Sequence, residues 1–396
     1  MKKIAIITAG VLPVPATKGG AVENLVEILL KENEKDPNFE FTVFSVADSN
    51  AENLAGRYAH TKFRFIKTHG RFYRISRVLK SFINRFSPVY FGNQFISSVL
   101  TADNFSRFEA VVLENAPQFA APLKRKFPDV PIISHLHNRH VFDGMKYQEQ
   151  ILAATDSFLC VSEYICRQVL TCKTVSEDTT HCLHNGIDTV AFSRKLDAEE
   201  RSQLRASLGI SEKDFLFIFF GRVIPQKGIR ELVQAFKIVR RHNPDTSLKL
   251  LIIGASGFTG SAAGDIAKAA DENIVFSGFI DYAEMWKYLN LGDVAVLPSV
   301  CDEAFPLTLL EAQCCGLPSI ITNSGGMIEA VTDESAVTVP RGNALGERLA
   351  DAMEALLHNP EKRSAMSIAA RERGKHFSRE RYWRTFCELT LTPKAK

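Results

Sequence analysis

The chain has 396 residues, 45% of them hydrophobic and 23% charged, with a formal net charge of +3. That is the composition of a globular protein long enough for two ordinary domains. So small a positive excess does not imply a nucleic-acid footprint. No stretch approaches the ~18 apolar residues of a membrane span, and the eight cysteines form no C-x-x-C pair. The expectation is a reduced, cytoplasmic protein that binds no nucleic acid.

Lys3–Thr8 reads as a first buried strand, its apolar run too short for a signal-peptide core. The loop A-G-V-L-P-V-P-A-T-K-G-G then opens a helix with Val22, Leu25, Val26, Leu29 and Leu30 on one face. Gly19 and Gly20 stand at its N-terminus, where free N–H groups and the helix dipole favour an anion. Turn geometry alone explains a Gly-Gly pair equally well. Phe41–Val46 and Phe63–Ile66 read as the next strands. In Arg71–Phe86, residues Phe72, Ile75, Val78, Leu79, Phe82, Ile83 and Phe86 recur at helical spacing. Arg71, Arg74, Arg77 and Lys80 run down another face, joined by Arg85, and no acid interrupts them. Such a helix is either an ordinary domain helix with a solvated basic face or a contact for an anionic membrane or acceptor.

Ala110–Leu113 and Pro131–Ser134 are strands, the first followed by a loop at Glu114–Pro117, the second by H-L-H-N-R-H. His135, His137 and His140 have an H-x-H spacing that metal ligands also use. No carboxylate-rich or second histidine cluster of matching pattern accompanies them, which favours one active-site histidine over a metal. Phe158–Val161 is a further strand, and H-N-G-I-D at 184–188 closes the first half. A polar segment, Ser193–Lys213, precedes the strongly apolar Phe215–Phe220, so the linker lies near Asp188–Ser193. Strands at Phe215–Phe220, Lys249–Ile253, Ile274–Phe276, Val294–Leu297 and Ser319–Ile321 alternate with helical patterns, and Leu345–Leu357 and Arg379–Leu391 read as final helices. Two strand–helix series imply an α/β protein of two doubly wound domains facing a central cleft. The expected division is 1–190, 191–378, and a terminal helix 379–396 returning toward the first domain.

Three stretches of the second half bear on chemistry. G-R-V-I-P-Q-K-G, Gly221–Gly228, leaves a strand and opens a helix, so Arg222 and Lys227 can meet one anion as fork and point charge. It lacks the P-loop spacing. G-A-S-G-F-T-G, Gly254–Gly260, imitates a dinucleotide fingerprint but follows the second strand of its half, with no acid ending the next. It reads as a glycine-rich loop lining the same crevice. P-S-V-C-D-E-A-F-P-L-T-L-L-E, from Pro298, puts Glu303 in a turn and Glu311 on the helix that Pro306 opens. At ~1.5 Å per residue the carboxylates lie roughly 10 Å apart, against the ~5 Å of a retaining hydrolase pair. Each is then either a solvated surface charge or a grip on a different part of one extended ligand.

G-R-V-I-P-Q-K-G, the E-x7-E of Pro298–Glu311, and E-A-Q-C-C-G-L-P-S-I-I-T-N-S-G-G-M-I-E after it closely resemble the retaining glycosyltransferases of family 4, which have the GT-B fold. Gly19–Gly20, H-L-H-N and H-N-G-I-D match that family's N-terminal half. More narrowly, H-L-H-N, D-E-A-F and the basic helix followed by S-P-V-Y-F resemble lipopolysaccharide-core N-acetylglucosaminyltransferases. The resemblance implies a nucleotide-sugar donor, UDP-N-acetylglucosamine by the narrower match, and a glycolipid or lipopolysaccharide-type acceptor. Arg222 and Lys227 then hold the diphosphate, with Gly19 and Gly20 approaching it from the other domain. Glu311 takes the ribose, Glu303 the sugar hydroxyls, and the backbone N–H groups of Ala304, Phe305 and Leu307 complete the grip. Pro306, where the family often has Gly, supplies no N–H. His137 is the active-site histidine, and Arg71, Arg74, Arg77 and Lys80 face acceptor or membrane. No D-x-D occurs, so no metal and no cofactor are expected. The rival readings are a GT-B epimerase or phosphorylase-like enzyme and a non-catalytic glycan-binding protein.

Overall fold

A computed structural model describes residues 1–254 and 271–391, except the side chains of Phe72 and Leu391. Most of the Gly254–Gly260 turn therefore lies outside the described residues. The chain forms two compact units: Met1–Gly186 joined by the chain from Arg379 onward, and Ile187–Ser378. The division falls after Gly186 rather than at 190. The two crossings run side by side, with Ile187 N–H donating to Phe377 O at 2.9 Å.

The first unit is a seven-stranded parallel sheet in the order β3-β2-β1-β4-β5-β6-β7. Its strands are β1 Lys2–Ile7, β2 Phe39–Val46, β3 Thr61–Ile66, β4 Ala110–Glu114, β5 Ile132–Leu136, β6 Ser157–Cys160 and β7 Thr180–Cys182. Ile4–Ile7 and Ala110–Leu113 are buried throughout, as continuous apolar runs covered on both faces should be. The chain order reverses between β1 and β4, so their C-terminal ends flank the crevice where doubly wound sheets bind ligands. The returning helix Arg379–Leu391 adds Trp383 and Phe386 edge-on to Phe39, at centroid separations of 5.7 and 6.0 Å.

The second unit is a six-stranded parallel sheet in the order β10-β9-β8-β11-β12-β13. Its strands are β8 Phe215–Phe220, β9 Leu248–Ile253, β10 Ile274–Gly278, β11 Val294–Leu297, β12 Ser319–Thr322 and β13 Ala336–Val339. Its order reverses between β8 and β11, the two strands that feed the Arg222–Lys227 and Ser299–Glu303 loops.

The following elements depart from the sequence reading. β4 includes Glu114 and β5 extends through His135, so neither belongs to a loop. The helix Pro360–Gly374 went unread because few of its residues are apolar and buried. The helix Arg71–Phe86 has the expected bounds, but its apolar stripe faces outward, which an ordinary domain helix with a solvated basic face would not do. Ser76, Lys80 and Asn84 face the unit. Ser76 Oγ donates to Gln94 Oε1 at 2.5 Å, Lys80 Nζ donates to Ser97 Oγ, and Asn84 Nδ2 donates to Gly92 O at 3.0 Å. Its apolar residues Ile75, Val78, Leu79, Phe82, Ile83 and Phe86 are exposed. Lys80 therefore leaves the outward set, while Arg71, Arg74 and Arg77 stay exposed.

Candidate active site

In the second unit, β8 ends at Phe220 and the chain turns sharply through Gly221, at φ 130°. Arg222 follows, exposed and without a carboxylate partner among the described residues. A short turn, Pro225–Lys227, then runs into the helix Ile229–His242 through Gly228, which is left-handed at φ 72°. A Cβ on Gly228 would lie 2.0 Å from Pro298 O. That close approach ties the Lys227 turn to the loop after β11, as does Val300 N–H donating to Gln226 O at 2.9 Å. Alanine at 228 meets both a clash and a disfavoured φ. We expect a loss of about 2 kcal/mol or more in the urea unfolding of this unit; an unchanged midpoint would show that the two loops are not locked together.

Across the sheet reversal, Lys227 Nζ reaches Glu303 Oε1 at 2.7 Å, and Ser299 Oγ donates to the same oxygen at 2.5 Å. Both partners are only partly exposed, so the pair is screened less than a surface bridge. Ser299 is itself fixed, its carbonyl accepting from Thr322 Oγ1 at 2.6 Å and Ser324 Oγ at 2.8 Å. Glu303 O accepts from Gly326 N–H at 2.8 Å. Pro306 is the N-cap of the helix Leu307–Cys315 rather than its first residue, with no side-chain cap. The N–H groups of Leu307 and Thr308 thus stand at an open helix start beside Ala304 and the buried Phe305, whose ring lies 5.4 Å from that of Phe377. Glu311 lies one turn further along, buried in the helix. Burial raises its carboxyl to about 8, and the neighbouring Tyr282 hydroxyl only partly opposes this.

In the first unit, Gly20 caps the helix Ala21–Lys35 at φ 103°. A Cβ there would lie 2.2 Å from Glu23 Oε2. Gly20 therefore leaves room for a carboxylate that curls back over its own helix start, as in a capping box. Glu23 is buried, and burial raises its pKa. At Gly19–Gly20 the sequence offers an anion site or plain turn geometry, and the structure shows an internal acid at the helix start.

Beside it, Glu114 ends β4 in register with His135 on β5. His135 Nδ1 lies 3.0 Å and His137 Nε2 2.8 Å from Glu114 Oε2. Asn115 turns left-handed at φ 54° and its Oδ1 accepts from His137 N–H at 3.1 Å. Burial favours a neutral Glu114, but the imidazoles, His135 foremost, outweigh it and keep the carboxyl well below its usual range. Burial, then His135, lowers the pKa of His137 against the pull of Glu114. The result is a buried carboxylate held by two imidazole nitrogens, with the charged form of His137 disfavoured by its burial.

This cluster removes the sequence argument against a metal, since a carboxylate does join the histidines and the three ligand-type atoms lie within 4.8 Å of one another. Metal-bound histidines donate their second N–H to an acceptor, whereas His135 Nε2 and His137 Nδ1 are buried without one among the described residues. The cluster brings together the atom types that hold a metal, but not the outer acceptors that usually orient such histidines. His137 has both ring nitrogens buried, Nε2 on Glu114.

Residues 200–373, within the second unit, fit the family Glycosyl transferases group 1. The second unit is a glycosyl transferases group 1 domain. Spore coat protein SA of Bacillus subtilis (strain 168) is 25% identical over 394 residues, 96% of each chain. A D-inositol 3-phosphate glycosyltransferase of Arthrobacter sp. (strain FB24) is 32% identical over 209 residues, 52% of this chain and 47% of that one. The chain thus spans about half the length of that relative. Among solved structures, Anabaena Alr3699/HepE in complex with UDP-glucose superposes with a TM-score of 0.76 at 16% identity, over 99% of this chain and 100% of that one. The fold class is GT-B, each unit a Rossmann-like α/β domain. Within the group 1 domain, Arg222, Lys227 and Glu303 occupy the sheet reversal, with the open start of the Leu307–Cys315 helix following Glu303 in the chain.

Sequence reasoning missed Ser299, Glu114 and Glu23. Ser299 lay inside a quoted motif. Glu114 was visible only as an acid ending an apolar strand, and its meaning depends on β4 and β5 being neighbours.

Proposed function

We propose that the protein transfers a sugar from a nucleotide diphosphate donor to a glycolipid acceptor, with retention and without a metal or cofactor. The observation that carries this is the Lys227–Glu303–Ser299 cluster with Arg222 at the β8/β11 reversal. Negative charge grows on the diphosphate as the bond to the sugar breaks. Arg222, Lys227 and the helix start at Leu307 supply fixed positive charge for it. Glu303, already gripped by Ser299 and Lys227, accepts from sugar hydroxyls in this reading, and Glu311 from the ribose. Retention follows front-face attack, in which the leaving phosphate oxygen takes the acceptor proton while the new C–O bond forms on the same face. The finer assignment, supported by motif resemblance, is an N-acetylhexosaminyl or hexosyl transfer from UDP-N-acetylglucosamine to a lipopolysaccharide-core acceptor at the inner face of the membrane.

The test is a thermal-shift panel of UDP-, GDP- and ADP-sugars followed by a transfer assay in excess EDTA. We expect stabilisation by UDP-sugars first and activity that survives metal removal. Stabilisation by no nucleotide sugar would leave only a glycan-binding role, and activity restored by Mg²⁺ or Mn²⁺ would overturn the charge assignment.

A further inference from the structure

The Arg71–Phe86 helix is built inside out. Its polar stripe, Ser76, Lys80 and Asn84, is spaced at one turn per step and spends its hydrogen bonds on the protein. Lys146 Nζ closes the helix end on Asn84 O and Arg85 O, at 2.7 and 3.1 Å. The opposite stripe holds Val78, Leu79, Phe82 and Phe86, exposed by 65, 58, 63 and 70%. Phe91, exposed beside the helix end, continues the patch, its N–H bonded to Asn84 Oδ1 at 3.0 Å. Scattered surface leucines need no explanation, but a contiguous aromatic and aliphatic face does. Folding has fixed this face outward, because the side chains that would have to turn out to bury it are the ones already bonded to the unit.

We infer that this face inserts into an anionic lipid surface, with the helix lying in the plane of the membrane. Deepening the acceptor side of the proposed function, this assigns the apolar stripe, rather than the basic one, as the membrane contact. Three observations select a membrane over other occupants. The helix carries Arg71, Arg74, Arg77 and Arg85 and no acid, so its rim complements phosphate headgroups. A second copy of the chain is a poor fit, because a two-fold contact sets the patch against itself and brings those arginines together. The sixteen residues make a helix about 24 Å long, short of the ~30 Å needed to span a bilayer, and among the described residues no helix is long and apolar enough to cross one. The geometry leaves an interfacial helix whose phenylalanines reach the acyl boundary while the flanking arginines stay at headgroup level.

The test is sedimentation of the full chain with phosphatidylcholine vesicles, with and without phosphatidylglycerol. Wild-type protein should bind the anionic vesicles and release in high salt. Phe82→Ser with Phe86→Ser should weaken partitioning by ~30-fold or more, while the UDP-induced thermal shift, which reads the other unit, stays at the wild-type value. Arg74→Glu with Arg77→Glu should abolish the preference for phosphatidylglycerol. In Phe82→Trp the indole emission should move to the blue on adding vesicles. Equal vesicle binding by wild type and the serine variant would overturn the inference. So would wild-type dimers that the serine variant dissolves in the absence of lipid, which would make the face a contact between copies. A protein that binds vesicles but no nucleotide sugar would keep this inference and sink the proposed function instead.

Discussion

Replacing Arg222 or Lys227 by alanine is expected to lower kcat/KM for sugar transfer by at least ~30-fold, about 2 kcal/mol of transition-state stabilisation. The two residues should reach that loss by different routes. Arg222 is exposed and has no carboxylate partner among the described residues, so its removal deletes a cation and disturbs little else. Lys227 is held on Glu303, which also takes the Ser299 hydroxyl. Lys227→Ala therefore removes a charge and also frees the carboxylate from half of its anchor. The single variant Glu303→Gln should lower kcat, because the amide keeps the size but changes what the oxygen accepts. Combined with Lys227→Ala it should cost clearly less than the sum of the two, since the residues act as one unit. Steady-state kinetics on the four proteins decide this. Wild-type kcat/KM in both alanine variants would remove these cations from the site, and strict additivity with Glu303→Gln would show that the 2.7 Å pair has no part in turnover.

Where the sequence announces itself through period and composition, the reading and the structure coincide. Phe215–Phe220 is apolar at every position and can only be a strand covered on both faces. The loops at Arg222–Lys227 and Ser299–Glu303 follow from such strands, so their place at one sheet reversal was legible. Thr180–Cys182 was not, because three residues carry no period. The Arg71–Phe86 helix shows a different limit. Its hydrophobic repeat fixes that it is a helix and which residues share a side, but not which side meets the protein. Ser76, Lys80 and Asn84 decide that, through partners on a neighbouring segment. Glu114 shows a third limit. The acid, His135 and His137 come together only because β4 and β5 are adjacent and paired Glu114 to His135, an order no local pattern contains. Gly20 likewise reads as room for a ligand until Glu23, three residues on, is seen to use that room.

The affinity for the nucleotide should rise with pH up to about 8 and then level off, and Glu311 should be the reason. Its carboxyl is buried in the helix Leu307–Cys315, and burial holds its pKa at about 8 in the ligand-free protein. At pH 6 it is therefore protonated. A protonated carboxyl still accepts a hydrogen bond, but two ribose hydroxyls are gripped best by a carboxylate, which accepts from both. Binding then favours the charged form, lowers the pKa, and releases a proton. By linkage the dissociation constant rises by up to tenfold for each pH unit below 8, until the pKa of the bound state is reached. Between pH 6 and 8 that amounts to at most ~100-fold, with no further gain above 8, where the free carboxyl is already ionised. Glu311→Gln has no proton to lose and should bind weakly with a flat profile over the same range. Calorimetry of UDP binding, in buffers of differing ionisation enthalpy, measures both the affinity and the proton released. A flat wild-type profile with no proton release would mean that the ribose does not meet Glu311, and a Glu311→Gln variant with the wild-type slope would place the titrating group elsewhere.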